Sequence, residues 1–451
     1  MNGEKNVLEK FYENRDFLKH KTSDGIEKYR KGNAKIPLID STSKPVSGAK
    51  IKVKQKTHHF RFGANIFMLD ELETQEKNDL YKKHFSELFN MATLPFYWDA
   101  LEPERGKPRY DKDSPKVYRR PSPDRCIEFC NRHGIEPREH ALAYEAYFPK
   151  WLYESDVDEI KSELERRYSE ISQRYADKIP TIEVTNELFW PRERRKTDFY
   201  LDPDYAVWCF KLAEKYFPKN QLCINESTEL AWGDESNEND RYYKCIKENI
   251  EKGARIDAVG LQYHLFHKRE ESYEKTRQYL DPKELYNHLD LYSRFGKPLQ
   301  ITEVTVPAYS WEAKDENIQA DIIENLYTLW FSHPNVEQIV YWNVVDGYAH
   351  LWVSDPEQIK ASQGNMTIGE NYYHGGLLRY DLSPKPAFFR LRELIHKKWH
   401  TEGEFITDEF GNIVFRGFYG EYEIEIVRDD KTYSKTINLQ SKSDNKVTII
   451  I

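Results

Sequence analysis

Two short stretches put a carboxylate where an apolar run ends: "IPTIEVTNELFW" (179–190), which carries Asn186-Glu187, and "PLQITEVTV" (298–306), which carries Thr302-Glu303. Two carboxyl groups that meet one substrate from different strands can share the work of acid and nucleophile in cleaving a glycosidic bond. Other strand ends add His140 with Tyr144 and Glu145, Asn225-Glu226, Gln262-Tyr263-His264, and Trp342 followed by Asp346 and Trp352. Aromatic faces stack on the apolar faces of pyranose rings, while amides and imidazoles bond hydroxyls, so this mixture suits a sugar.

For these groups to meet, their strands must lie side by side and end on one face. From Phe60 onward, short apolar strands alternate with helix-length amphipathic segments, the pattern of parallel β/α units. Eight strands are expected, at 60–66, 89–95, 136–142, 179–186, 221–225, 256–262, 298–302 and 337–342. Eight closes a barrel, whose functional residues stand at the carboxyl ends of its strands. A doubly wound sheet would carry a glycine-rich phosphate loop after its first strand, and "FGANIFMLD" is not one. The expected fold is therefore α/β, a (β/α)8 TIM barrel over 57–400. Residues 1–56 are expected to add a charged helix (4–31) and a β-hairpin, in which a Ser/Pro/Gly turn joins two alternating runs. Residues 401–451 alternate with period two, with turns at Asp-Glu-Phe-Gly-Asn and at Arg428-Asp429-Asp430-Lys431, and are expected to form a small antiparallel β appendage.

Composition narrows the chemistry. The formal charge of −9, from 67 basic and 76 acidic residues without a basic block, argues against nucleic acid as a partner. No apolar run is long enough to span a membrane, and the charged N-terminus lacks the apolar core of a secretory signal. A cytoplasmic location is expected on that basis, or a secreted one if a signal peptide has been removed. The five scattered cysteines contain no CxxC and suggest a reducing compartment; Cys126 and Cys130, four apart on an expected helix, read as buried thiols. His58-His59, and His264 with His267, lack a third ligand at metal spacing, and there is no nicotinamide, flavin or phosphate fingerprint. No metal or cofactor is expected.

In sequence order, "FRFGANI", "REHALAYEAYFPKWL", "IPTIEVTNELF", "VGLQYHLF", "PLQITEVTV", "VYWNVVDGYAHLW" and "GGLLRYDLSPKPAFFRLREL" resemble motifs of glycoside hydrolase family 10, whose members are mainly endo-β-1,4-xylanases. The resemblance covers roughly residues 57–400. It implies a retaining double displacement between carboxyl groups about 5 to 5.5 Å apart, with Glu303 as nucleophile and Glu187 as acid/base. With Glu303 ionised, its charge would help Glu187 hold a proton. Asn186 would bond the sugar 2-hydroxyl, and His140 and Gln262 other hydroxyls. His264 would orient Glu303, Trp342 and Trp352 would wall the site, and Glu183 would support it from behind, sharing a face with Thr185 and Glu187 if the strand alternates.

The chain also departs from the family pattern. In "ATLPFYWDALEPERG", Tyr97 stands where a lysine is usual; Tyr144 and Glu145 replace a tryptophan and a histidine; Thr305 stands where an aspartate is frequent, and Tyr97 and Tyr144 are expected to bind the substrate from these altered positions. The resemblance implies hydrolysis of β-1,4-xylosidic bonds in xylan or xylo-oligosaccharides. The alternatives are a retaining β-glycosidase acting on another plant polysaccharide or oligosaccharide, and a non-catalytic carbohydrate-binding barrel. At single positions Glu187 could instead be a capping glutamate, Glu303 half of a structural ion pair, His140 a satisfied core histidine and Trp342 barrel core. Glu226, Glu145 and Asp346 compete for the carboxylate roles.

Overall fold

The computed structural model describes residues 6–451 except 234, 354, 429, 430 and 442. Eight parallel strands close a barrel: Arg61–Asn65, Met91–Pro95, Glu136–His140, Thr181–Asn186, Gln221–Glu226, Ala258–His264, Leu299–Thr305 and Val336–Tyr341, the last pairing with the first. The strands are buried on both faces, which is why they read as apolar runs rather than as alternating ones. Helices cover the outside. In Val157–Tyr175, for example, Asp156 caps the Glu159 N–H at 2.8 Å, and Ile160, Leu164, Tyr168, Ile171 and Tyr175 make a single buried stripe. Cys126 and Cys130 lie buried on the helix Pro123–His133. No helix among the described residues is long and apolar enough to cross a membrane.

Two irregularities aim side chains into the mouth. The pairing register shifts between Glu183 and Thr185 in the fourth strand, and again where Gln262 comes to face Glu303. A bulge rotates the residues beyond it, so simple alternation fails there. The expected sharing of a face by Glu183, Thr185 and Glu187 is corrected accordingly: Glu183 and Asn186, three apart, reach the same amide of Asn225, while the Thr185 hydroxyl is buried without a partner.

The N-terminal hairpin does not form. Lys31–Ile39 pairs with Asn412–Phe418 and with Ile449–Ile450, while Lys50–Gln55 lies between Glu402–Ile406 and Gly420–Arg428, and Gly420–Arg428 pairs in turn with Lys431–Leu439. The two terminal segments thus build two facing sheets together, around Ile36, Leu38, Ile51, Val53, Phe415, Ile424 and Ile426. Alternation prescribes a half-buried strand but not its neighbour, and the larger apolar interior came from long-range pairing. The turn expected at Asp408–Asn412 is held by the Asp408 carboxylate; the centre of the Arg428–Lys431 turn lies outside the described residues. The N-terminal helix is two helices, Glu9–Glu13 and Arg15–Tyr29. Just past the second, Arg30 donates to the carbonyls of Phe331, His333 and Val336, and Trp399 stacks on Phe62 and Phe331, which ties the sandwich to the barrel.

Candidate active site

Tyr97, His140, Tyr144, Asn186, Glu187, Gln262, His264, Glu303, Trp342 and Trp352 all line one cavity of about 410 Å³ at the carboxyl ends of the barrel strands. Glu187 leaves the fourth strand in the left-handed region, at φ 52°, held by its N–H to the Asn225 carbonyl at 3.2 Å. Arg119 (φ 60°) and Trp352 (φ 55°) line the same cavity in the same conformation. Non-glycine residues held this way cost about 1 kcal/mol or more each and collect at functional sites.

A chain of amides joins the two glutamates. Gln262 Nε2 donates to Glu187 Oε1 at 3.2 Å and to Asn186 Oδ1 at 3.1 Å. Asn225 Nδ2 reaches Asn186 Oδ1 at 3.0 Å and Glu303 Oε1 at 3.2 Å, its own Oδ1 fixed by the Thr302 hydroxyl at 2.7 Å. Both acceptor positions of Asn186 Oδ1 are used, so its amino group is the part offered to a ligand. Glu187 Oε2 also accepts from Tyr144 Oη at 2.5 Å and Trp190 Nε1 at 3.0 Å.

Behind Glu303 stand His140 and Glu183, whose ligating atoms lie within 4.8 Å of one another and of the Glu303 carboxylate. His140 is bonded at both nitrogens, Nε2 to Tyr97 Oη at 2.9 Å and Nδ1 to Glu183 Oε1 at 2.8 Å, with Arg138 on the other Glu183 oxygen at 2.5 Å. Burial opposes charge on Glu183, but His140 and Arg138 overcome it and hold the carboxyl below the ordinary value. Burial likewise opposes an imidazolium at His140, and Glu183 reverses the balance, raising its proton affinity. A cation here would meet a charged pair and a carboxyl already occupied by amides, a poor donor set for a metal.

Burial pushes Glu303 up to about 8; His140 opposes the shift, and the charges of Glu183 and Glu187 add to it. Burial therefore works against the ionised Glu303 that the resemblance implies, and His140 is the neighbour that favours the charge there. His264 also meets Glu303. The Thr305 hydroxyl donates to the Trp342 carbonyl at 2.8 Å and so accepts from His264 Nδ1 at 2.9 Å. The network therefore assigns the imidazole hydrogen to Nδ1, and burial lowers the affinity of the ring for a second proton, which leaves Nε2 facing Glu303 Oε2 at 3.3 Å. A carboxylate at position 305 would favour an imidazolium instead.

The competing carboxylates are engaged elsewhere. Glu226 accepts the N–H groups of Leu188 and Ser227, each at 2.7 Å, Glu145 pairs with Arg195 at 2.7 Å, and Asp346 pairs with buried Lys385 at 2.6 Å. Trp342 packs edge-on between Phe67 and His140, and Trp352 stands exposed at the rim. Sequence reasoning missed Arg119, Arg120, Tyr147, Trp190, His350 and Glu370, which line the same cavity. The available signal was the loop 102–122: on this face of a barrel, a loop longer than ~15 residues is usually functional.

The model for glycosyl hydrolase family 10 matches residues 51–392. The chain belongs to this family. Over 428 residues it is 26% identical to the anti-sigma-I factor RsgI6 of Acetivibrio thermocellus, covering 93% of this chain and 48% of that protein. Endo-1,4-beta-xylanase 2 of Arabidopsis thaliana is 24% identical, with 94% of this chain and 35% of that protein covered. The chain thus spans half or less of the length of these curated relatives. The crystal structure of xylanase 10B from Thermotoga petrophila in complex with xylobiose shares the family 10 fold, with a TM-score of 0.57 at 21% identity, covering 75% of this chain and 95% of that one.

Proposed function

We propose that this family 10 protein is a retaining glycoside hydrolase that cleaves β-1,4-xylosidic bonds in xylan or xylo-oligosaccharides. The observation that carries the reading is the pair Glu187 and Glu303, which face one aromatic-walled cavity and are joined through Gln262, Asn186 and Asn225. Glu303 attacks the anomeric carbon while Glu187 gives a proton to the leaving oxygen; Glu187 then takes a proton from the water that releases the sugar. At the moment of cleavage the proton must sit on Glu187 and the charge on Glu303, a charge that burial opposes. The imidazolium favoured at His140 and the Asn225 amide are placed to stabilise the charge on Glu303 when it forms. Asn186, whose amino group is not engaged among the described residues, bonds a hydroxyl of the sugar being attacked. Tyr97, Gln262 and Trp342 shape its seat, and Tyr144 holds Glu187 in position.

The names of the Arabidopsis and Thermotoga relatives support the xylan form, and the substituted Tyr97, Tyr144 and Thr305 motivate a β-glycosidase on another polysaccharide as the runner-up. A further reading is sugar binding without turnover, in which the same aromatic-walled cavity only holds its ligand. The test is release of products from xylan and from a panel of aryl β-glycosides, with Glu187→Ala and Glu303→Ala as controls and the first-formed anomer followed by NMR. Expected are xylo-oligosaccharides of retained configuration. Strong activity confined to a non-xylo substrate would sink the xylan form, and binding without any turnover would sink all hydrolase forms.

A further inference from the structure

The loop 102–122 delivers two adjacent arginines to the wall formed by the first, second and eighth strands. Arg119 and Arg120 are only 3% and 8% exposed, and both line the cavity of Glu187 and Glu303. A buried guanidinium is costly unless an anion or a full set of acceptors meets it. Arg119 Nη1 donates to Asn343 Oδ1 at 2.7 Å and to the Tyr348 carbonyl, but its Nε is buried with no partner. Arg120 Nη1 donates to the Arg119 carbonyl at 2.9 Å, and the guanidinium lies over the Tyr97 ring, 4.0 Å from its centroid, with Tyr147 and Phe67 beside it. Among the described residues neither arginine makes an ion pair.

Three other titratable side chains face this wall. Glu370 accepts long bonds, both 3.4 Å, from Asn343 Nδ2 and the His350 N–H; Asp99 has a buried, unpartnered oxygen; and burial together with the two arginines keeps His350 neutral. Burial raises the proton affinity of Glu370 and Asp99, and among the described residues neither carboxyl is hydrogen-bonded to Arg119 or Arg120. The wall is left cationic within a chain whose net charge is −9.

A neutral sugar has only hydroxyls to offer such a wall, whereas a carboxylate matches a guanidinium fork with two parallel charge-assisted bonds. We propose that Arg119 and Arg120 bind the carboxylate of a uronosyl unit on the substrate, making the enzyme selective for acidic over neutral β-linked oligosaccharides. This rests on the hydrolase reading above but not on the identity of the backbone sugar. Tyr97, bonded to His140 and covered by Arg120, places the acidic unit next to the sugar under attack.

The test compares kcat/KM for a xylo-oligosaccharide bearing one glucuronosyl branch with that for its carboxyl-reduced, glucosyl-bearing counterpart, which keeps the shape and removes the charge. The native protein is expected to prefer the acid by about tenfold or more, and Arg120→Gln to reduce that preference to about twofold or less. Equal use of the two substrates by the native protein overturns the inference while leaving the hydrolase reading intact. If neither is cleaved, the hydrolase reading on xylan fails, and NMR titration with methyl β-glucuronoside against methyl β-glucoside decides the arginine site alone. Binding of the glucuronoside that Arg120→Gln weakens by about fivefold or more supports it; equal or no binding of the two overturns it.

Discussion

The barrel mouth and the terminal sandwich are both built from strands with buried interiors, yet they fill those interiors in opposite ways. Between its sheets the sandwich holds Ile36, Ile51, Val53, Ile424 and Ile426. The mouth holds Glu183, His140, Asn225, Gln262 and Glu303, all 5% exposed or less. Apolar burial stabilises the fold at about 25 cal/mol per Å², whereas buried carboxyls and imidazoles are held in place only by their partners. Substitutions in the mouth should therefore change activity far more than stability, and substitutions in the sandwich the reverse.

The sharpest break is expected at Glu187. Glu187→Gln should lower kcat/KM on unactivated xylo-oligosaccharides by about 10³- to 10⁴-fold, with a thermal midpoint close to that of the native protein. In the same variant, a 2,4-dinitrophenyl β-glycoside needs no proton for its leaving group, so its kcat/KM should rise with pH towards about 8 as Glu303 ionises. A profile flat from about pH 5 upward would show that Glu303 is already charged in the free site. At the other end of the molecule, Ile424→Ala, in the sandwich centre, should cost roughly 2–4 kcal/mol in denaturant unfolding without altering kcat; a fall in kcat with unchanged stability would erase the contrast.

A smaller effect of opposite sign is expected at Glu303. Its folded value, about 8, lies above its ordinary value of 4.5. Whatever the protonated carboxyl contributes to stability is thus fully present below about 4.5 and lost as pH rises through about 8. Glu303→Gln removes that loss, so the inactive variant should exceed the native protein by on the order of 1–3 kcal/mol at about pH 8 and by less at about pH 5. An advantage that does not grow with pH would mean that burial is not what raises Glu303.

The same contrast explains what could be read from the chain beforehand. The eight strands and their terminal residues were legible because a strand buried on both faces announces itself by composition, and a parallel barrel sends every strand end to one mouth. The partners of Lys31–Ile39 and Lys50–Gln55 were not legible, since their alternation fits a hairpin as well as the long-range pairing that formed. The face taken by Glu183 was hidden by a register shift that side-chain types do not encode. Arg119 and Arg120 sit in an aperiodic loop, and what marks them is their burial without an anion. Thr305 could be seen as a departure, but its consequence needed the Trp342 carbonyl that fixes its hydroxyl and, through it, the His264 tautomer.

The central claim is that Glu303 forms the covalent bond to the sugar and Glu187 assists. It is tested most directly by incubating the protein with an activated 2-deoxy-2-fluoro glycoside of the substrate it cleaves and mapping the modified peptide by mass spectrometry. The account predicts time-dependent inactivation, with one sugar attached to Glu303 and with turnover restored by an acceptor sugar. Attachment at Glu187, Glu226 or Glu370, or undiminished hydrolysis with inverted configuration and no adduct, would contradict it.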